Sequence, residues 1–254
     1  QLRLAAVTAG GVGDYSNITL AQPYATPTVT SITPNSGSPS GGTSTTITGV
    51  DFALMEKDIV QASAGAGGSH AMALSSDGKV YAWGYGGSGR LGDGNYANST
   101  IPVAVTTTGV LSGKTITAIS AGTGHSLALA SDGTVYAWGN NTSGRLGINS
   151  TNATGTPKSV VTTGTPMSGK TIVGISAGAA HSLALASDGT VYAWGNNGSG
   201  RLGNGDGTNA DALVPAAIET AGTPMSGKTI VAISAGETHS LALASDGTIY
   251  SWGA

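Results

Sequence analysis

One unit returns along this chain at an almost fixed interval. The stretch beginning at His125 reads HSLALASDGTVYAWGNN; it recurs at His181, with close variants opening at His70 and His239, so the spacings are 55, 56 and 58 residues. A period of this length overrides residue-by-residue reading, because each repeat is one supersecondary unit that buries its apolar faces only against its neighbours. All four histidines and all four tryptophans belong to the unit, always thirteen residues apart: His70 and Trp83, His125 and Trp138, His181 and Trp194, His239 and Trp252. An aspartate stands seven residues after each histidine, as Asp77, Asp132, Asp188 and Asp246.

Inside the unit the period is two. Leu127 and Leu129 alternate with small residues, and Val135 to Trp138 follow a Ser-Asp-Gly turn, which predicts a β-hairpin. Asp-Gly suits that turn: Gly133 accepts a positive φ, and Asp132 bonds its own turn backbone. A strand-like run at Ile116–Ala121 precedes the hairpin, and a fourth is expected around Pro157–Val161 after the loop 140–147. The 42 glycines among 254 residues exceed the usual share of about 7%. Gly122, Gly139, Gly144 and Gly147 explain part of that excess as strand-end and turn positions. With no sustained helical periodicity, the expected class is all-β: four-stranded propeller-type blades, three complete and a fourth partial.

At these residues the chain resembles the regulator of chromosome condensation repeat family. The matching elements are Gly122 with His125–Leu129, then Gly133–Gly139, then Asn141–Gly147, and their counterparts in the other repeats. The resemblance covers residues 59–254, in repeats at about 59–115, 116–171, 172–229 and a partial 230–254. Two departures stand out. Arg90, Arg145 and Arg201 occupy a loop position where the family usually has Gln, and two extra residues precede His70. A propeller of the family closes from about seven blades. The chain, which begins at Gln1, is therefore expected to be part of a longer protein, or else to self-associate through open strand edges.

Residues 1–58 differ in kind, being rich in Thr, Ser and Pro. Residues 28–52 resemble the opening strands of an immunoglobulin-like IPT/TIG domain, giving a partial segment and linker at 25–58. Residues 1–24 resemble the end of a preceding β-sandwich. That combination implies, by resemblance, a large bacterial surface or secreted protein.

Several motifs invite a chemistry that their context denies. Residues 164–171, GTPMSGKT, match a phosphate-loop pattern, and 222–229 match again. A phosphate loop needs a helix directly afterwards, whereas Ile172–Ile175 is strand-like, so a turn before the next blade is the better reading. Gly84–Gly89 fits a dinucleotide fingerprint without a surrounding βαβ unit. The histidines with their aspartates are repeated, whereas an active site is needed once; they are expected to hold the turn at the start of each hairpin. Asn204–Asp211 alternates oxygen donors as a calcium loop would, but lacks a bidentate Glu, so a solvated turn is favoured.

Composition narrows the function. Only 23 of 254 residues are charged and the net charge is −3, which excludes a basic nucleic-acid domain. There is no Cys, hence neither a disulfide framework nor a thiol nucleophile, and no run long enough to span a membrane. The expected function is a non-enzymatic extracellular or cell-surface scaffold that meets protein or surface partners through its loops, with no cofactor, catalytic or metal residue. Tyr85, Arg90, Tyr96, Asn140, Asn141, Arg145, Asn196, Asn197 and Arg201 are its candidate interaction residues. The arginines are expected to lay their stems on a neighbouring blade and expose their heads. Alternatives are a secreted inhibitor with exposed aromatic anchors and, less favoured, nucleotide exchange with chromatin binding.

Overall fold

The computed structural model describes residues 58–65 and 70–254 in full, and strand pairing at a few short segments before them. The chain divides into units 1–58 and 59–254. In the first, β1 (Leu2–Leu4) pairs antiparallel with β4 (Ser16–Ile18), β2 (Val7–Thr8) with β3 (Gly11–Val12), and β5 (Thr28–Thr33) with β6 (Thr46–Val50). Most of the residues carrying the sandwich and IPT/TIG resemblances lie outside the described residues, as do the two extra residues before His70.

In the second unit the alternating runs become antiparallel sheets. Blade 1 holds β7 (Ile59–Ala64), β8 (His70–Ser75), β9 (Val80–Gly84) and β10 (Ser99–Ala104). Blade 2 holds β11 (Ile116–Ala121), β12 (His125–Ala130), β13 (Val135–Gly139) and β14 (Thr154–Ser159). Blade 3 holds β15 (Ile172–Ala177), β16 (His181–Ala186), β17 (Val191–Gly195) and β18 (Ala212–Ala217). Blade 4 holds β19 (Ile230–Ala235), β20 (His239–Ala244) and β21 (Ile249–Gly253). Among the described residues the only helical elements are single 3-10 turns.

The hairpin turn forms for the stated reason. Gly133 adopts φ +81°, its amide donates to the Ala130 carbonyl, and Asp132 Oδ1 accepts the Thr134 amide at 3.0 Å. The fourth strand of blade 2 runs over Thr154–Ser159 rather than starting at Pro157, because Thr154 pairs with Gly139 and an irregularity follows before Lys158 meets Ala137. A proline occupies the fourth position of every outer strand, as Pro102, Pro157 and Pro215. Lacking an amide hydrogen, each interrupts the row of donors that an incoming strand would need.

Alternation also decides where the core lies. In blade 2, Leu127, Leu129, Val135 and Ala137 face blade 3, whereas Ala128, Ala130, Tyr136 and Trp138 face blade 1. The core is thus a set of seams between blades, with large residues of one meeting small ones of the next: Met72 and Leu74 of blade 1 share a cluster with Ala128, Ala130 and Trp138 of blade 2. Trp138 and Trp194 are completely buried; at the two ends of the array, Trp83 and Trp252 are half-buried.

Candidate interaction face and the seams that support it

Strand register sends the loops of each blade to two opposite ends. His125 lies opposite Gly139, so the loop 122–124 and the long loop 140–153 emerge together. The hairpin turn at Asp132 and the connection 160–171 lie at the other end, where the Ser131 amide donates to the Thr115 carbonyl. The first end is called here the loop face and the second the turn face.

The turn face is a set of repeated surface pairs. Lys114 bonds Asp132 at 2.6 Å, Lys170 bonds Asp188 at 2.7 Å and Lys228 bonds Asp246 at 2.7 Å. The ammonium of Lys114 and the turn amide of Thr134 hold Asp132 down to about 2. This accounts for the phosphate-loop pattern: Gly164 and Gly169 take positive φ in turns, and the lysine that would hold phosphate is tied to a hairpin carboxylate of the blade that follows it. In blade 1, Asp77 Oδ1 accepts the Ser75 hydroxyl at 2.5 Å, and Asp77 Oδ2 pairs with Lys79 of the same turn at 3.6 Å.

The histidines do not hold the hairpin start, as expected from the sequence, but cross the seam. His70 Nε2 lies 2.9 Å from Ser126 Oγ, His125 Nε2 lies 2.8 Å from Ser182 Oγ and His181 Nε2 lies 2.9 Å from Ser240 Oγ. Each serine in turn donates to a main-chain carbonyl of the preceding blade: Ser126 to Arg90, Ser182 to Arg145 and Ser240 to Arg201. The same carbonyls accept the indole N–H of Trp138, Trp194 and Trp252 at 2.9–3.0 Å. The serines escaped the sequence reading, although the His-Ser pair recurs in three repeats and stands as His70-Ala71 in the first. His239 is exposed at the far end of the array.

The arginine heads are engaged rather than free. Arg90 Nε donates to Gly87 of its own loop, and its Nη1 donates to the Thr123 carbonyl of blade 2 at 2.9 Å. Arg145 reaches Ala179 at 2.8 Å and Arg201 reaches Glu237 at 3.0 Å in the same way. Burial pulls the Arg90 and Arg145 guanidinium groups down from their ordinary value, and the pairing to carbonyls compensates that desolvation.

Of the candidate loop residues, Asn141 and Asn197 are 1% exposed and serve the loop interior. Asn141 Oδ1 accepts the Leu146 amide, and Asn197 Oδ1 accepts that of Leu202. Asn140 and Asn196 are half-buried beside them; Asn140 Oδ1 accepts the Thr142 amide, and Asn196 Nδ2 donates to Asp211. In the acidic loop 204–211, Asp206 takes the Thr208 amide and the Asn204 side chain, so its oxygens are already used within the loop. Among the described residues no cluster of His, Asp and Glu is arranged to hold a metal ion.

What the loop face leaves exposed differs from blade to blade. Tyr85, at the position of Asn140 and Asn196, is 47% exposed, with Arg90 stacked 4.7 Å from its ring centroid. A Cβ at Gly87 would fall 2.4 Å from that ring, so Gly87 supplies the seat on which Tyr85 lies. Tyr96 is 58% exposed and rests against Gly155 of blade 2 in the same manner. Near the inner strands, Gly122, Thr123, Gly178, Ala179, Gly236 and Glu237 line an open cavity of about 300 Å³.

Comparison with known proteins places this geometry. The chain is 33% identical over 189 residues to the human E3 ubiquitin-protein ligase HERC2, covering 74% of the chain but 4% of that protein. It is 34% identical over 187 residues to the ultraviolet-B receptor UVR8 of Arabidopsis thaliana, covering 74% of the chain and 40% of the receptor. It therefore spans well under half the length of these relatives. Among solved structures, human WBSCR16 superimposes with a TM-score of 0.66 at 24% identity, covering 78% of this chain and 48% of the other. Yeast RCC1 (Prp20), solved bound to Kap60, gives 0.63 at 24% identity, covering 82% and 46%. The family model for the RCC1-like domain matches residues 12–254, and with its blades stitched one to the next as described, the chain belongs to the RCC1-like domain family of β-propellers.

Proposed function

We propose that this chain is a non-enzymatic protein-binding propeller segment whose specificity resides on the loop face. One observation carries the reading. The residues that repeat in every complete blade are spent on seams and turns, whereas the loop face varies from blade to blade: exposed Tyr85 stands where the other complete blades have half-buried Asn140 and Asn196, and exposed Glu237 where they have half-buried Thr123 and Ala179. A surface whose scaffold is periodic and whose contacts are not is suited to one specific partner. Tyr85 and Tyr96, seated on glycines, are preorganised aromatic anchors of the kind that dominates protein interfaces. They also favour the second reading, in which one face caps a partner enzyme.

Display at a cell surface, as adhesion or scaffold, is the finer form of the proposal. Its support is the IPT/TIG resemblance of residues 25–58 and the low charge, which suits contact by shape and hydrogen bonds. Protein partners are named for similar proteins, as Kap60 is for yeast RCC1.

The test compares capture by the unaltered chain, by a loop-face variant (Tyr85→Ala with Tyr96→Ala), and by a turn-face variant (Lys170→Ala with Lys228→Ala). Proteins retained by the first and third but lost from the second support the proposal. Loss through the turn-face variant alone overturns it. Surface labelling of intact source cells decides the finer form: protection from an impermeant reagent removes the cell-surface placement.

A further inference from the structure

The hydrogen-bond chain at each seam fixes a tautomer. Ser126 has one hydroxyl hydrogen, and the Arg90 carbonyl, 3.0 Å away, can only accept it. His70 Nε2, on the same oxygen, must therefore carry the ring proton, and in a neutral imidazole this leaves Nδ1 bare. The same logic applies to His125 against Ser182 and to His181 against Ser240. All three Nδ1 atoms are buried without a hydrogen-bond partner. His125 Nδ1 faces Gly122 and His181 Nδ1 faces Gly178, each so closely that a Cβ on the glycine would fall 2.8 Å from the nitrogen.

The charged neighbours of these rings have one sign. Arg90 acts on His70, Arg145 and Arg90 act on His125, and Arg201 and Arg145 act on His181, while each neighbouring histidine adds positive charge only if it too takes a second proton. Among the described residues no carboxylate acts on these rings, so a second proton on any of them would place a cation among cations with nothing to receive its new N–H.

We propose that the His–Ser seams form an acid-sensitive latch: three buried proton sites, empty when the blades are closed, whose filling separates neighbouring blades in concert. Burial lowers His70 and His181 from 6.5 to about 4, and His125 well below its ordinary value. Because the folded-state values lie below those of the unfolded chain, the closed form binds fewer protons than the open one. The stabilisation is complete above about 6.5 and is lost as the pH falls towards 4. The paired carboxylates act lower: Asp132, at about 2, and its exposed relatives change charge below this window. What opens is the set of seams that buries Trp138 and Trp194, so acid exposes apolar surface that neutral pH conceals.

Two measurements on the full chain test the latch. Imidazole ¹⁵N spectra of the folded protein should show three rings protonated at Nε2, bare at Nδ1, and unchanged from pH 7.5 to 5. Denaturant titrations followed by tryptophan fluorescence should show the folded-to-unfolded ratio falling by roughly a thousandfold per pH unit near pH 5, the signature of three protons taken up. His125→Gln, whose amide can still donate to Ser182, should reduce that to roughly a hundredfold. Three rings titrating near 6.5 in the folded chain, a proton on Nδ1, or a stability flat between pH 6.5 and 4.5 would each overturn the proposal, and the spectra decide it even if the variant fails to fold.

Discussion

The indole nitrogen of Trp138 donates to the main-chain carbonyl of Arg90, 48 residues earlier and on the preceding blade, at 3.0 Å. That oxygen also receives the Ser126 hydroxyl, so one carbonyl gathers two donors from the next blade. Trp138→Ala should cost about 3–5 kcal/mol, the range for deleting a fully buried large aromatic. Trp83→Ala, at the half-buried equivalent in blade 1, should cost distinctly less. Urea unfolding of both variants measures the difference, and equal losses would mean that the seam is not what buries the ring.

Glycines in left-handed turns separate into two groups. Gly147 has φ +67°, and a Cβ there would lie 2.8 Å from the Trp194 indole nitrogen, whereas Gly164 has φ +75° with nothing within 4 Å. Gly164→Ala should cost about 1–2 kcal/mol, the backbone penalty alone. Gly147→Ala adds overpacking against the indole, for a total of roughly 3 kcal/mol or more. Thermal unfolding of the pair tests this, since the backbone penalty is common to both.

Ser182→Ala should destabilise by about 1–3 kcal/mol, because it leaves the buried Nε2–H of His125 without an acceptor. The mirror experiment is Ala71→Ser, which supplies the hydroxyl that blade 1 lacks; with no described histidine facing it, its effect should stay within about 0.5 kcal/mol. A double-mutant cycle of His125→Gln with Ser182→Ala should show coupling, and strict additivity would count against the seam bond.

Lys170→Ala should leave the thermal midpoint unchanged within error, because the Lys170–Asp188 pair is solvent-exposed on the turn face. Asp188 is likewise held below its ordinary value mainly by Lys170, so the pair's stabilisation is present above the ordinary carboxylate range and fades only in stronger acid. Addition of ATP should not raise the midpoint either; a clear rise would restore the phosphate-loop reading of residues 164–171.

Much of the blade was legible along the chain. Alternation between Leu127 and Trp138, interrupted by Asp132-Gly133, marks two strands and their turn, since side chains reverse face at every residue. The strand before the hairpin, Ile116–Ala121, lies where the pattern predicts, while the outer strand begins three residues early because pairing with Gly139 starts at Thr154. Asn141 and Asn197, candidate interaction residues from the sequence, are buried in the loop interior. Polarity alone does not reveal that their side-chain oxygens cap the Leu146 and Leu202 amides within the loop.

The repeated sequence by itself determined the unit and its strands, because hydrophobic alternation and turn chemistry are local properties that need no neighbour to be recognised. Tertiary structure alone decided what the repeated polar residues do. His70 finds Ser126, and Trp138 finds the Arg90 carbonyl, across a seam some fifty residues long in sequence. An acceptor that every residue's backbone carries leaves no mark in the letters, so only the packing of one blade against the next could select which carbonyl it would be.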